Sequence, residues 1–293
     1  MKYPLISLYV PGNRQDLIEK APRFKPDAVI LDLEDAVPAA LKDEVRVQLA
    51  KTIPTYPLTV LVRVNSEEEH LAQDIKSVAV PGLYGIVLPM VETVEQVQRA
   101  ADLLASAEAA AGLVVGSIKM LLLIETPLGV INCFAACKAS ERVESVVFGS
   151  AEDGDMQAGL NCAFSSEGYE MMYARSKCLL DARAARLPYV LDGAFSAVKD
   201  LDALKVDCTV SRRLGYDGRT LIYPGHVTLA REVYAPNPAE VAHYQALVQV
   251  FDEALANGKA AIVFNDKLID YAMYKKARKF LANAAMYADA EGA

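Results

Sequence analysis

The chain has 293 residues, 53% hydrophobic and 23% charged, which supplies a large core and is too balanced for a disordered or fibrous protein. A net charge of -8 with no Lys/Arg cluster argues against nucleic acid as a partner. The N-terminal stretch MKYPLISLYVPGNR is interrupted by prolines and is too short for a membrane span or a signal-peptide core, so a soluble cytoplasmic protein with no membrane partner is expected.

In chain order, apolar β-branched runs recur about every thirty residues: ISLYV, AVILDL, LTVLVRV, GIVLP, MLLLIE, ESVVFG, PYVLDG and RTLIYPG. Helical periodicity marks the intervening stretches 16–21, 67–78, 94–106 and 169–186. Eight strand-helix units predict a (β/α)8 barrel over residues 1–230. A doubly wound sheet is the alternative, but neither G-x-G-x-x-G nor G-x-x-x-x-G-K-[ST] follows any strand. From about residue 231 the pattern changes. APNPAE opens a helix expected from about Glu240 to Ala256, and a second is expected from about Leu268 to Ala288. Residues 231–293 are thus a C-terminal helical extension, which packs on a neighbouring subunit, covers a site, or is a plain surface hairpin.

Five cysteines, Cys133, Cys137, Cys162, Cys178 and Cys208, are an odd number in a chain too long to need disulfide staples, and they read as small core residues. Cys133 and Cys137 share a helix face without a nearby His or third Cys. With only His70, His226 and His243, none in a nucleophile motif, a Ser-His-Asp hydrolase has no support.

Catalytic groups of a barrel come from the ends of its strands, which converge on one face. Here those ends carry Gly12, Asn13 and Arg14; Asp32, Glu34 and Asp35; Arg63 and Asn65; and Glu92, Glu125 and Asp153. Glu125 closes the aliphatic run LLLI immediately before Thr126-Pro127, so a strand hands over to a helix at a carboxylate that needs a partner. Crowded acids repel unless a cation neutralises them, and an oxygen-rich set suits Mg2+, which needs only one or two carboxylates plus substrate oxygens. Glu125 and Asp153 are the best pair for the metal; equally, Asp153 caps the next helix and Glu125 pairs with an arginine. Glu34 and Asp35, pointing opposite ways, suit a supporting role behind the ligands. Arg63 in LVRVN offers a planar fork to a small carboxylate, or pairs internally with Glu34 or Asp35. Arg14, after a Pro-Gly-Asn turn, either binds an anionic group or faces solvent.

The ordered set PGNR (11–14), LDLEDAV (31–37), VRVN (62–65), GIVLPMVE (85–92), IET (124–126), FGSAED (148–153) and GYDGR (215–219) resembles the citrate lyase β-subunit-like proteins of the HpcH/HpaI aldolase superfamily, together with malyl-CoA, citramalyl-CoA and β-methylmalyl-CoA lyases. Each motif alone is weak, but the order holds from about residue 7 to 281. The resemblance implies Mg2+ on Glu125 and Asp153, and Arg63 on the carboxylate or oxo group of a 2-oxo acid. It also implies reversible carbon-carbon cleavage of a 3-hydroxyacyl thioester into an acyl-CoA and a 2-oxo acid. The alternatives are a thioesterase or synthase on the same scaffold, or a β subunit that works only on a carrier protein. Relatives carry a catalytic aspartate in a Met-Ile-Asp segment of a C-terminal lid that serves a neighbouring subunit. This matches Asp270 of KLID, which from spacing alone is equally a helix cap, and it implies a homo-oligomer, a trimer or hexamer. Three departures bear on the thioester pocket: Met90 where many relatives have lysine, Tyr223-Pro224-Gly225-His226 for a His-Pro-x-Gln, and Asn265-Asp266 for an Asp-Gly.

Overall fold

Eight parallel strands close into a barrel in sequence order: β1 Ile6–Pro11, β2 Ala28–Asp32, β3 Thr59–Arg63, β4 Leu83–Leu88, β5 Lys119–Ile124, β6 Val143–Phe148, β7 Leu191–Asp192 and β8 Gly218–Leu221. β1 pairs with both β2 and β8, which completes the ring. This computed structural model describes residues 3–165 and 167–288. The helices of the barrel are α1 Gln15–Ile18, α2 Lys42–Thr52, α3 Glu68–Val78, α4 Val94–Ala110, α5 Pro127–Lys138, α6 Asp155–Leu160, α7 Met172–Ala184, α8 Leu201–Leu214 and α9 Val227–Tyr234. The (β/α)8 expectation is met.

The local causes are visible in the sequence. β2 is buried at all five positions and β5 at five of six, as runs enclosed between barrel interior and helices must be. Thr93 starts α4 with a capping box to Gln96, and Thr126 starts α5 by accepting the Gly129 N–H, with Pro127 in the first turn. The cysteines are free, and Cys133, Cys137, Cys178 and Cys208 are buried. PYVLDG yields only the two-residue β7, while α2 and α8 arise where no helix had been singled out.

Register then sets the site. Pro11 lies opposite Asp32 and Asp32 opposite Arg63, so the ends of β1, β2 and β3 stand side by side. Ile124 lies opposite Phe148, which brings Glu125 against Gly149; a Cβ on Gly149 would come within 2.5 Å of the Glu125 Cβ, so only glycine fits there.

Pro4–Tyr234 form one compact unit, and the division falls after α9 rather than after residue 230. The second unit contains α10 Pro238–Ala256, an antiparallel hairpin of β9 Ala261–Phe264 and β10 Lys267–Asp270, and α11 Tyr271–Ala288. The extension is therefore not purely helical, and KLID is a strand rather than the first turn of the last helix. Asn265 and Asp266, at φ of 50° and 59°, make a two-residue turn with both residues left-handed, the conformation that tight hairpins require. Leu247, Phe251, Ile269 and Tyr274 form the core of this unit, with Phe251 and Tyr274 stacked at 4.7 Å. Among the described residues no helix is long and apolar enough to cross a membrane.

Candidate active site

A cleft of about 410 Å³ opens where the strands of the barrel end. Its walls come from seven strand ends: Tyr9 and Pro11, Asp32 and Asp35, Arg63, Glu125, Ser150 with Gly149, Gly193, and Thr220 with Ile222.

Arg63 is its electrostatic centre. Asp32 grips the guanidinium through both oxygens, at 2.8 Å from Nε and 2.6 Å from Nη2, while Nη1 reaches Glu34 at 2.9 Å and Asp35 at 3.1 Å. The Arg63 guanidinium also lies over the Tyr9 ring, 5.3 Å from its centre. Burial disfavours the charge on Arg63, but the bond to Asp32 and its charge outweigh this, so Arg63 keeps its proton. Asp32 is itself fixed by accepting the backbone N–H groups of Glu34 and Ala36 at 3.0 and 3.3 Å.

Burial pushes the Glu34 carboxyl up to about 8 despite Arg63, with Asp35, Glu125 and Asp32 adding to the rise. Glu125 is pushed up to about 7, again chiefly by burial, against the pull of the Met90 N–H and the charge of Arg63. That N–H donates to Glu125 Oε1 at 2.9 Å, from a residue at φ 53°. Met90 thus acts through its main chain.

The remaining residues singled out from sequence fall in different places. Arg14 is not a cleft-lining residue; its guanidinium is engaged by Asp16 at 2.8 and 3.0 Å on the surface. Asp153 is exposed at φ 57° and does not line the cleft; its N–H donates to Gln157 Oε1 at 2.7 Å. Asp155, the first residue of α6, is instead the acid whose charge acts most on Glu125, followed by Asp35. Asp270 lies in the second unit, where its Oδ1 accepts the Met273 N–H at 2.9 Å and caps α11.

Sequence reasoning placed Asp32 among the strand-end candidates without a partner, and singled out neither Tyr9 nor Asp155 nor the buried network of Arg175, Asp192 and Arg219. In that network Arg175 holds Asp192 and Asp207, and Arg219, fully buried, donates to the Gly193 carbonyl at 3.1 and 2.6 Å. Asp192 in turn accepts from Ser150 Oγ at 3.4 Å and from the Gly193 N–H at 3.0 Å, which ties the walls supplied by β6 and β7 together.

As a cation site the cleft has one strong ligand. Glu125 is a desolvated carboxylate whose ionised form needs a partner beyond one backbone N–H. Among the described residues no group of three or more His, Cys, Asp or Glu encloses a metal by itself. Carboxylate oxygens of this kind suit a hard ion, which completes its shell with water and substrate oxygens.

The family description HpcH/HpaI aldolase/citrate lyase matches residues 5–224. The chain belongs to this family. It is 31% identical over 291 residues to citrate lyase subunit beta of Leuconostoc mesenteroides subsp. cremoris, covering 97% of this chain and 95% of that protein. It is 32% identical over 281 residues to (3S)-malyl-CoA thioesterase of Cereibacter sphaeroides, covering 94% and 93%. Among solved structures, the citrate lyase beta subunit of Mycobacterium tuberculosis complexed with oxaloacetate and magnesium superposes with a TM-score of 0.66 at 26% identity, over 80% of this chain and 98% of that one.

The two raised carboxylates give the metal-free protein a pH signature. A carboxyl whose folded pKa exceeds its unfolded value stabilises the fold below the unfolded pKa, and that contribution is lost as pH rises through the folded pKa. With folded values of about 7 and about 8 for Glu125 and Glu34, stability of chelator-treated protein is expected to fall between about pH 4.5 and pH 8. Thermal unfolding of Glu125→Gln and Glu34→Gln beside the wild type checks this, since each variant should gain in relative Tm as pH rises.

Proposed function

We propose that this chain is a Mg2+-dependent carbon-carbon lyase that splits a 3-hydroxyacyl thioester of the citryl-, citramalyl- or malyl-CoA type into an acyl-CoA and a 2-oxo acid. The observation that carries the reading is the half-buried carboxylate of Glu125, raised to about 7 and set in the same cleft as the clamped cation of Arg63. When bound, Mg2+ would act as a Lewis acid on the oxygens of the 2-hydroxy-acid portion of the substrate. Glu125 would hold it together with an acid of the loop after β6. Asp153 is the residue that matches the family motif; Asp155, two residues on, is likewise exposed and outside the cleft lining, with its charge acting on Glu125. Arg63 would orient the substrate carboxylate, its position set by Asp32.

Cleavage turns the hydroxyl-bearing carbon into the carbonyl of the 2-oxo acid. The hydroxyl gives its proton to water, its O–H electron pair forms the new carbonyl, and the electron pair of the breaking carbon-carbon bond passes to the α-carbon of the thioester, which must then gain a proton. We assign that proton to Asp270, supplied by a neighbouring subunit of a trimer or hexamer, and released from its capping bond to Met273 when the substrate is bound. Arg14 remains available to an anionic part of the ligand outside the cleft, with Glu34 and Asp35 supporting Arg63. Hydrolysis of the thioester is the second reading, favoured by the similarity to a malyl-CoA thioesterase; a β subunit acting on a carrier-bound acyl group is the third, favoured by the citrate lyase relative.

Three outcomes are expected. Incubation with malyl-, citramalyl- and citryl-CoA should release a 2-oxo acid and an acyl-CoA in equal amounts, only with Mg2+; free CoA with an intact hydroxy acid would establish hydrolysis instead, and turnover confined to a carrier-linked substrate the third reading. Glu125→Gln and Arg63→Lys should lower kcat/KM at least a hundredfold, since a lysine cannot replace the three hydrogen bonds and the ion pair with Glu34 made by the guanidinium. Asp155→Asn compared with Asp153→Asn by the Mg2+ concentration for half-maximal rate identifies the second ligand as the variant that needs far more metal. Finally, mixing inactive Glu125→Gln with inactive Asp270→Asn subunits should restore part of the activity, and no restoration would remove Asp270 from a neighbour's site.

A further inference from the structure

Asn65 stands two residues after Arg63 at the end of β3, fully buried and not itself a cleft-lining residue. Its amide spans the loop that leaves β2. Nδ2 donates to the Leu33 carbonyl at 3.1 Å, where the loop begins, and Oδ1 accepts from the ammonium of Lys42, the first residue of α2, where the loop ends. Asp74 of α3, a fully buried carboxylate, fixes the amide in turn: its Oδ2 accepts from Asn65 Nδ2 at 2.6 Å and from the Asn65 backbone N–H at 2.8 Å. Arg46 of α2 pairs with the other oxygen of Asp74 at 2.6 Å. Two acceptors face Nδ2 and a cation faces Oδ1, so the amide has one orientation that satisfies all of them.

The loop held in this way carries Glu34 and Asp35, the acids on Arg63 Nη1, and Ala36, a residue of the cleft wall. Leu33, its first residue, is gripped from both sides: its N–H donates to the Arg63 carbonyl at 2.9 Å while its own carbonyl accepts from Asn65. Lys42 sits against the dipole of α2, which favours acids rather than cations in a first turn, and the Asn65 oxygen compensates. Without the amide, the buried Leu33 carbonyl and Asp74 carboxylate would each lose a donor, and the end of the loop would lose its tie to β3.

We propose that Asn65 is a positioning residue for the carboxylate end of the substrate. By holding both ends of the 33–42 loop against β3, it sets where Glu34 and Asp35 meet the Arg63 guanidinium, and so where Arg63 meets the 2-oxo acid. Asn65 itself touches no substrate, and none of its bonds goes to Glu125 or to the loop after β6. Its effect therefore falls on the 2-oxo acid and spares the metal. This rests on the lyase reading, because it assigns Arg63 to the 2-oxo acid end of the substrate and not to the acyl-CoA end.

Two variants and a control test it. Asn65→Ala removes the amide, and Lys42→Met releases only the end of the loop while leaving Asn65 on Leu33. Glu108→Gln is the control, since it weakens a buried ion pair with Arg142 whose other partners, Gly116, Ser117 and Ile118, lie outside the loop. In the condensation direction, with acetyl-CoA and pyruvate, glyoxylate or oxaloacetate in turn, KM for the 2-oxo acid should rise about tenfold in Asn65→Ala, the scale of a small misplacement of a positioned group, and by a smaller factor in Lys42→Met. Calorimetric binding of the same acid in the presence of Mg2+ should weaken to match. KM for acetyl-CoA and the Mg2+ dissociation constant should stay at wild-type values. Hydrogen exchange of the 33–41 amides should quicken in both variants, whereas Glu108→Gln should lose Tm with no change in that exchange or in KM. Wild-type affinity of Asn65→Ala for the 2-oxo acid, or an equal loss in Glu108→Gln, would overturn the assignment while leaving the lyase reading intact. If Asn65→Ala does not fold, Lys42→Met decides alone, and a wild-type KM for the acid in that variant would overturn the assignment. A wild-type enzyme that binds none of the three acids would overturn both.

Discussion

One half-buried cation holds the mouth of this barrel in place. Arg63 gathers the three acids of the LDLED segment, and the segment can cross the barrel rim with Asp32, Glu34 and Asp35 so close together only because that guanidinium lies among them. The dependence runs both ways. Without Arg63, burial of Asp32 and Glu34 would cost several kcal/mol, on the order of 3–5 for an uncompensated buried pair. Without Asp32, the guanidinium would keep neither its bidentate grip nor its fixed plane over Tyr9. The parallel register that puts Asp32 opposite Arg63 is thus both the means of closing the sheet and the means of building the site.

Glu125 is the counterpart of this clamp. Arg63 moderates its charge but is already committed to three other carboxylates, and the Met90 N–H satisfies a single oxygen. The free protein consequently holds in Glu125 an acid that ionises near neutral pH, beside the raised carboxyl of Glu34, where there is little cationic charge to spare. Such a site favours a divalent ion that arrives with, or is completed by, an oxygen-rich substrate. The network of Arg175, Asp192 and Arg219 serves the opposite wall. It fixes Ser150 and Gly193 through neutral and paired groups and adds no unbalanced charge to the cleft.

Much of this was legible in the sequence, for physical reasons that differ by residue. Glu125 stands out because a carboxylate closing four aliphatic residues has no inexpensive explanation, and Arg63 because a guanidinium inside LVRVN must find acids nearby. The internal pairing of Arg63 with Glu34 and Asp35, left open beside ligand binding, is what the free protein shows; its leading partner, Asp32, could not be told from its neighbours because LDLED offers three acids and only register chooses among them. Asp153 lies in the loop before α6 and Asp155 is the first residue of α6, and the positive φ of Asp153 changes the course of the chain there in a way no spacing rule reveals. Tyr9 reads as an ordinary strand aromatic until its ring is seen against Arg63. The β9–β10 hairpin did carry a signal, since Asn265-Asp266 between AIVF and KLID is suited to a tight turn, but the apolar content of KLID drew it into the following helix.

The claim on which the rest depends is that the half-buried carboxylate of Glu125 receives a divalent cation, and proton release on metal binding measures it directly. Mg2+ should be titrated into the metal-free protein by calorimetry in buffers of different ionisation enthalpy, at several pH values from 6 to 9, with a saturating 2-oxo acid present. With a free-protein value of about 7 for Glu125, uptake of one ion per chain should release most of a proton near pH 6 and almost none by pH 9, and Glu125→Gln should abolish the release together with tight binding. Binding that releases no proton at any pH, or that survives unchanged in Glu125→Gln, would contradict it.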